Sequence, residues 1–395
     1  MKTVGIICEY NPFHLGHAEH IKRTRQAFDE EFAVVCVMSG NFVQRGDFAI
    51  FNKHARAKMA LLGGADLVIE LPTPYVLQSA EGFAQAGVYL LNVLGKCDYI
   101  SFASESGDVE RLKKAASAIV TDEADRITKQ WLEKGLSYAS AQQKAADSIM
   151  GPDASVFSTP NNVLGIEYIK AIAKFGSSMQ PMTMQRVGGE HDSDIGYSAT
   201  AARNALFKGD MPVEIVPSFV VDICLSEQVA GRGPVSMGST AVESAILSRL
   251  RQPFGFSDVL GFSEGLEHRF AQYASKGASI ASILENVKTK RYPMSRIRRM
   301  MMCAILGIKK DDFNEPPPYI RVLGMNDVGK SLLATLRKRT ELQVITKPAS
   351  VLNMCANAQK LFDLEARATD FYTLAYTDEL ERCGGQEWRK SPIIL

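Results

Sequence analysis

Two histidines, His14 and His17, lie three residues apart with Gly16 between them. An imidazole can donate a hydrogen bond to a phosphate oxygen, where negative charge builds up during displacement at phosphorus. Gly16 lets a ligand approach the backbone closely. A zinc site is the other common use of paired histidines, but no third ligand of suitable spacing is evident. The pattern therefore predicts nucleotide phosphate binding, with His14 and His17 as the catalytic pair.

The position of this pair along the chain supports the same chemistry. The segment Glu9–His17 follows a predicted buried strand, Thr3–Cys8, and opens a predicted helix, Leu15–Phe28. Backbone N–H groups and the helix dipole favour an anion at such a helix start. Pro12 stiffens the turn before the helix.

The elements around this segment predict the fold class. Further buried strands are expected at Phe32–Met38, Asp66–Leu71 and Asp98–Phe102, with helices between them at Asn52–Leu62 and Ser79–Leu94. A second group follows, with a β-like run at Met182–Gln185 and helices at Leu164–Ala173 and Ser198–Phe207. Strand–helix alternation predicts an α/β fold with a doubly wound parallel sheet, in which ligands lie beyond the carboxyl ends of the strands.

Composition excludes several classes of protein. The 395 residues are 46% hydrophobic and carry a formal net charge of +1, which argues against disorder and against a strongly basic nucleic-acid coat. No apolar run reaches the ~18 residues of a membrane helix. Seven cysteines form no Cys-x-x-Cys pair, so neither a disulfide framework nor a zinc cluster is predicted. We expect a reduced, cytoplasmic protein.

Length and pattern predict two domains. Residues 1–230 carry the strand–helix alternation, and residues 231–395 follow a linker-like Gly231–Pro234 and are mostly helical. Eight basic residues and no acidic one lie in Asn286–Lys310, with Tyr292 among them as a possible stacking ring. This segment is either an RNA-binding surface or an ordinary solvated face. Arg337-Lys338-Arg339 adds a second short basic cluster.

Several of these segments resemble a known family. His14-Leu15-Gly16-His17 is similar to the His-x-Gly-His signature of the nucleotidyltransferase superfamily, which includes pantothenate synthetase and the small adenylyltransferases. Longer strings look like the tRNA(Met) cytidine acetate ligase family, and they run over nearly the whole chain: Glu9–His17, Met38–Gly46, Ala65–Pro72, Thr159–Gly165, Lys288–Tyr292 and, more weakly, Ser391–Leu395.

The resemblance implies a reaction. Acetate and ATP, with Mg²⁺ held largely through pyrophosphate oxygens, would form acetyl-adenylate and release pyrophosphate. The acetyl group would then pass to N4 of the wobble cytidine of elongator tRNA(Met), giving N4-acetylcytidine and AMP. Acetate is already ionised near neutral pH, so its attack needs positioning and charge neutralisation more than a strong base.

The resemblance also implies which residues contact ATP. These residues are Ile7, Cys8, Glu9, Tyr10, Asn11, Pro12, Phe13, His14, Leu15, Gly16, His17, His20, Ala103, Asn162, Arg186, Ser198 and Thr200. Two departures stand out, because Ala103 replaces a glycine of the family pattern and Ala199 replaces a serine.

Other polar residues have weaker claims on the site. Gln44 and Arg45 are candidates for contacting acetate or nucleotide. Lys53, His54 and Arg56 begin a predicted helix and are candidates for facing phosphate, although a solvated position is the commoner one for each.

Two rival functions remain open from the sequence alone. One is a small-molecule adenylyl- or cytidylyltransferase, or a pantothenate-synthetase-like ligase, on the same fold. The basic, helical second half argues against it. The other is a nucleotide-binding tRNA chaperone without catalysis, against which the paired histidines argue.

Overall fold

A computed structural model describes residues 2–95, 97–186, 197–252, 255–263 and 265–395. The strands among these residues are β1 (Lys2–Cys8), β2 (Phe32–Ser39), β3 (Phe42–Val43), β4 (Asp47–Phe48), β5 (Leu67–Leu71), β6 (Tyr99–Ser104), β7 (Gln180–Gln185), β8 (Tyr319–Met325), β9 (Gln343–Ile345) and β10 (Ile393–Ile394).

Helices cover much of the remaining chain. The α-helices of the described residues are α1 (Leu15–Gln26), α2 (Lys53–Leu62), α3 (Thr73–Val76), α4 (Ala80–Val93), α5 (Val109–Ile119), α6 (Asp122–Glu133), α7 (Tyr138–Met150), α8 (Pro160–Lys174), α9 (Ala199–Lys208), α10 (Ser218–Val229), α11 (Thr240–Leu250), α12 (Leu266–Lys276), α13 (Ile280–Val287), α14 (Met294–Leu306), α15 (Asp327–Leu336), α16 (Ala356–Thr373) and α17 (Gln386–Arg389). Short 3₁₀ turns lie at Gly151–Ser158, Pro348–Asn353 and Glu379–Arg382.

The main sheet confirms the predicted α/β class. Its strand order is β10-β8-β5-β2-β1-β6-β7, and β9 pairs with β8. The five strands from β5 to β7 are parallel, whereas β8 runs antiparallel to β5, so the sheet is mixed. The chain moves outward from β1 to β2 and β5 on one side, and to β6 and β7 on the other. This reversal of order makes a crevice at the carboxyl ends of β1 and β6.

Strand β1 is buried on both faces, as a central strand of a doubly wound sheet must be. Val4, Ile6 and Cys8 point into the core formed with α1, α2 and α10. Ile7 points into the opposite core, beneath α4. Gly5 lies where any Cβ would meet the side chain of Leu91, so the absence of a side chain lets α4 pack closely.

A two-stranded hairpin, β3–β4, follows β2 and rests against α14. Gly46 is at its turn, with φ at +75°, a conformation that costs glycine little. A Cβ at Gly46 would meet the backbone of Arg298 and Arg299 at α14. The hairpin is therefore placed by a close backbone approach from a helix some 250 residues later in the chain.

Strands from beyond residue 230 join the sheet of the first half. β8 pairs with β5, and β10 pairs with β8 near the end of the chain. All seven cysteines are free thiols, and five of them are buried. Within the described ranges, no helix combines the length and the apolar character needed to cross a membrane.

Replacing Gly46 by alanine tests the contact between the hairpin and α14. We expect Gly46→Ala to lower the free energy of unfolding by about 2–4 kcal/mol, since a left-handed alanine costs ~1–2 kcal/mol and the clash adds a similar amount. Gly135→Ala is the matched control, because its φ is +85° and nothing lies within 4 Å of its Cβ position. Urea denaturation measures both variants, and equal losses would contradict the close approach.

Candidate active site

A cavity of about 520 Å³ opens at the crevice between β1 and β6. Most of the predicted ATP contacts line it, namely Ile7, Cys8, Glu9, Tyr10, Asn11, His14, Gly16, His17, His20, Ala103, Arg186, Ser198 and Thr200. Four others, Pro12, Phe13, Leu15 and Asn162, are not among the residues that line it. The fold thus brings together four separate stretches of sequence at the place where α/β sheets bind ligands.

The two catalytic candidates cap helix α1 with their ring nitrogens. His14 is the N-cap residue, and its Nδ1 accepts the N–H of Gly16 at 3.1 Å. Nδ1 of His17 accepts the N–H of His14 at 3.2 Å. The rings are stacked with their centroids 3.6 Å apart. Because Nδ1 is an acceptor in both rings, the proton of each neutral imidazole lies on Nε2.

Both imidazoles are neutral at physiological pH. Burial, together with the positive charges of Arg186 and Arg203, lowers the pKa of His14 to about 3. Burial also holds the pKa of His17 well below its usual range, with contributions from His14 and His20. Each ring therefore presents an uncharged Nε2–H donor in a surrounding of positive charge that favours an anion.

The first turn of α1 keeps its own N–H groups occupied. The N–H of Leu15 donates to the carbonyl of Ile215 at 2.9 Å, and those of His17 and Ala18 donate to the carbonyl of His14. With the N–H of Gly16 bound to a ring nitrogen, the imidazoles take over as donors. The predicted role of backbone N–H groups at this helix start is therefore wrong in detail, although the dipole still favours an anion there.

His20 forms part of the cavity wall, one turn along α1. Its Nε2 lies 2.9 Å from Oγ of Ser101, which also lies 2.9 Å from Oγ1 of Thr24. Burial lowers the pKa of His20 to about 4, so this ring is neutral as well. The bond to β6 holds α1 against the sheet.

The loop between β1 and α1 is held from three sides. Tyr10 has a φ of +46°, which is rare for a residue with a side chain. Oδ1 of Asn11 accepts the N–H of Ile50 at 2.7 Å, and the carbonyl of Asn11 accepts from Arg203 at 2.7 Å. Phe13 is fully buried, with its ring edge-on to Tyr10. These contacts fix the conformation of the loop and so place the histidine pair.

Another part of the cavity wall comes from α9 and from the end of β7. Ser198 caps α9, with its Oγ accepting the N–H of Ala201 at 3.0 Å. Thr200 accepts from Arg203 at 2.9 Å, and Arg186 lies just after β7. Hydroxyl groups, a second helix N-terminus and two guanidinium groups at one cavity are chemically suited to binding phosphate.

Asn162 ties two loops together behind the cavity. Its Oδ1 accepts the N–H of Ser106 at 3.1 Å, and its own N–H donates to Glu105 at 2.8 Å. Its neighbour Asn161 lines the cavity and donates to the same carboxylate through Nδ2 at 2.8 Å. Ala103, where the family pattern has glycine, also faces the cavity.

Arg56 is neither a phosphate contact nor a solvated residue, so both expectations for it are wrong. It is completely buried and donates to the carbonyls of Phe51 and Ser39 at 3.0 Å each, and also to those of Gly40 and Glu9. It joins the chain ends leaving β1 and β2.

On the same helix as Arg56, Lys53 is buried and His54 is half-buried. Lys53 is 1% exposed and lies 2.7 Å from each of two carboxylates, Glu70 and Glu387. Burial lowers the pKa of His54 to about 3. The polar residues that the sequence places at the start of α2 therefore belong to a buried charge network.

Several residues that line the cavity were not predicted from the sequence. Asp47 and Phe48 come from the hairpin, and Arg298 comes from α14. Gln44 and Arg45, which were candidates, line the same part, and the N–H of Gln44 donates to Oε1 of Glu9 at 2.7 Å. Apart from its place in a basic segment, nothing in the sequence marks Arg298 as a neighbour of the histidine pair.

Comparisons with known proteins agree with this geometry. A model of the HIGH Nucleotidyl Transferase family matches residues 1–387. A tRNA(Met) cytidine acetate ligase from Caldanaerobacter subterraneus is 40% identical over 95% of this chain and 96% of its own. One from Thermosipho africanus is 38% identical over both full lengths.

Solved structures give the same result. Thermotoga maritima TmcAL, in a crystal with alpha-thio ATP, is similar with a TM-score of 0.91 and 34% identity over the whole of both chains. Its apo form has a TM-score of 0.93 at the same identity and coverage. The chain belongs to the tRNA(Met) cytidine acetate ligase family of HIGH nucleotidyl transferases.

Proposed function

We propose that this protein is an ATP-dependent tRNA(Met) cytidine acetate ligase. It activates acetate as acetyl-adenylate with release of pyrophosphate. It then transfers the acetyl group to N4 of the wobble cytidine of elongator tRNA(Met), and AMP leaves. The observation that carries this proposal is the pair of neutral imidazoles, His14 and His17, whose Nε2–H donors share a cavity with two arginines.

The residues that line the cavity suit a bound nucleoside triphosphate. His14 and His17 donate to the phosphate oxygens that gain charge as acetate attacks the α-phosphorus. Arg186, Ser198 and Thr200 hold the leaving pyrophosphate at the start of α9. The loop from Ile7 to Asn11, with Ala103 across the crevice, accepts the nucleoside. In the part of the chain that the structure describes, no three His, Cys, Asp or Glu side chains form a metal site, so Mg²⁺ would be held mainly by phosphate oxygens.

The basic segment supports tRNA binding by the second half of the chain. Lys288 and Lys290 are exposed in the turn between α13 and α14. Tyr292 is only 8% exposed, with the guanidinium of Arg296 5.3 Å from its ring centre, so it supports the segment rather than stacking on a base. We assign nucleotide chemistry to residues 1–230 and tRNA contact to residues 231–395.

Nucleoside mass analysis tests the proposed function directly. Treatment of elongator tRNA(Met) with this protein, acetate and ATP should convert the wobble cytidine to N4-acetylcytidine, because both half-reactions share one cavity. Replacing acetate and ATP by acetyl-CoA is the control and should give no product. Pyrophosphate release with no acetylated nucleoside would favour a small-molecule ligase instead, and binding of both ligands without either product would favour a chaperone.

The substitution His14→Asn keeps the cap of α1 but removes the Nε2–H hydrogen-bond donor. Asparagine Oδ1 occupies the place of Nδ1 and still accepts the N–H of Gly16, but nothing replaces the Nε2–H group. We expect acetate-dependent pyrophosphate release to fall by about 10²–10³-fold, as for loss of one oxyanion donor, with little change in melting temperature. His268→Asn, at a fully solvated histidine, is the control. Near-normal pyrophosphate release by His14→Asn would contradict the donor role.

Neutralising Lys288 and Lys290 together tests the tRNA surface. The double variant Lys288→Gln/Lys290→Gln should bind tRNA more weakly, and the slope of log affinity against log salt should shrink by about 1.5, as for two lost phosphate contacts. Pyrophosphate release should not change. Lys129→Gln/Lys134→Gln, at exposed lysines of the first half, is the matched control. Equal salt slopes for both double variants would place the tRNA elsewhere.

A further inference from the structure

The acetyl-transfer step needs a group that accepts a proton, and the histidine pair cannot supply it. Nδ1 of His14 and Nδ1 of His17 are each occupied by a backbone N–H. Each Nε2 carries the ring proton. Neither imidazole has a lone pair left to accept a proton while it caps α1, so the base must be another residue of the cavity.

Three carboxylates line the cavity among the described residues: Glu9, Glu19 and Asp47. Glu19 forms an ion pair on α1 with Arg23, whose Nε lies 2.7 Å away. Glu9 accepts the N–H of Gln44 at 2.7 Å and so fixes the hairpin to the loop after β1. Both carboxylates thus have a structural partner that accounts for their position.

Asp47 differs from these two because its arginine partner, Arg298, belongs to the basic segment Asn286–Lys310. Its Oδ1 accepts the N–H of Phe48 at 2.8 Å, while its Oδ2 lies 3.5 Å from Nη1 of Arg298. Its side chain is 37% exposed, so a substrate can reach it. Partial burial raises its pKa, which makes the carboxylate a better base, while the N–H of Phe48 and the charges of Arg298 and Arg203 oppose the shift.

Arg298 connects this carboxylate to the basic segment. It is on α14, a few residues after Lys288 and Lys290, and it lines the same cavity as the histidines. The neighbouring Arg299 donates to the carbonyl of Gln44 at 3.5 Å and, with the backbone contact at Gly46, holds the hairpin in place. An RNA lying on the basic segment would therefore reach the cavity on the side of Asp47.

We propose that Asp47 binds the N4 amino group of the target cytidine and accepts its proton during acetyl transfer, with Arg298 as its positioning partner. The inference rests on the proposed function and names a residue for its second step. A carboxylate is the side chain that accepts a hydrogen bond from cytosine N4.

The step balances as follows. The N4 lone pair attacks the carbonyl carbon of acetyl-adenylate and forms an N–C bond. In the resulting tetrahedral adduct N4 is cationic and strongly acidic, so a carboxylate is basic enough to remove one proton. The adduct then collapses, the bond from carbon to the phosphate oxygen breaks, and AMP leaves with that electron pair. Asp47 keeps the proton and returns it to water.

Separate assays of the two half-reactions test this role. Enzyme is loaded with ATP and labelled acetate, saturating elongator tRNA(Met) is added, and N4-acetylcytidine is followed over one turnover from pH 5 to pH 8. Pyrophosphate release and tRNA gel shifts are measured in parallel. The variants are Asp47→Asn and Asp47→Glu. Asp312→Asn is the matched control, because this aspartate pairs with Lys360 outside the cavity.

We expect Asp47→Asn to slow transfer by about 10²–10⁴-fold, as for loss of a general base. Wild-type transfer should fall at acid pH as Asp47 becomes protonated, and the residual rate of Asp47→Asn should lose that dependence. Asp47→Glu should recover part of the rate, and Asp312→Asn should behave as wild type. Pyrophosphate release and tRNA binding should stay within a few-fold of wild type in every variant.

Three results would overturn the inference: normal transfer by Asp47→Asn, an equal loss of pyrophosphate release, or loss of the gel shift. Each would assign Asp47 a different role or none. A wild-type enzyme that releases pyrophosphate but never acetylates tRNA would instead overturn the proposed function itself.

Discussion

Two hydrogen bonds from backbone N–H groups to imidazole nitrogens organise the nucleotide end of this cavity. Gly16 donates to His14, and His14 donates to His17, so the start of α1 is capped by rings rather than by a hydroxyl or a carboxylate. A carboxylate cap would put negative charge at the place where we propose that phosphate binds. A capping imidazole accepts the backbone N–H on one side and offers its own N–H on the other. The cap and the proposed catalytic donor are therefore one side chain.

The surrounding fold serves to hold that arrangement. The reversal of strand order at β1 and β6 creates the crevice, and Arg56 joins the ends of β1 and β2 by donating to three carbonyl groups there. Burial keeps the pKa of His14 and of His17 low, so the donors carry no charge of their own before the anion arrives. Positive charge comes from the guanidinium groups of Arg186 and Arg203.

The sequence predicts the local part of this account well. Three features depend only on neighbours within a dozen residues: the buried strand Thr3–Cys8, the helix that starts at Leu15, and the histidine pair at the start of that helix. The strand and the helix are confirmed, and both histidines take part in the helix cap. Contacts between residues that are far apart in the chain could not be predicted from the sequence. Lys53 and Arg56 pair with groups from other elements. In the sequence these partners are far away, so the two residues look like ordinary charged residues at a solvated helix start. Asp47 and Arg298 are separated by some 250 residues, and only the packing of the hairpin on α14 brings them together. Tyr292 is an aromatic residue in a basic run, and its burial depends on tertiary contacts.

Nitrogen-15 NMR of histidine-labelled protein measures the tautomers directly. Long-range proton–nitrogen correlation near neutral pH, assigned with single histidine variants, distinguishes Nδ1–H, Nε2–H and the charged ring. We expect Nε2–H tautomers for His14 and His17 in the free protein, with a non-hydrolysable ATP analogue shifting their Nε2 signals most. Charged rings, or Nδ1–H tautomers that the analogue leaves unmoved, would contradict it.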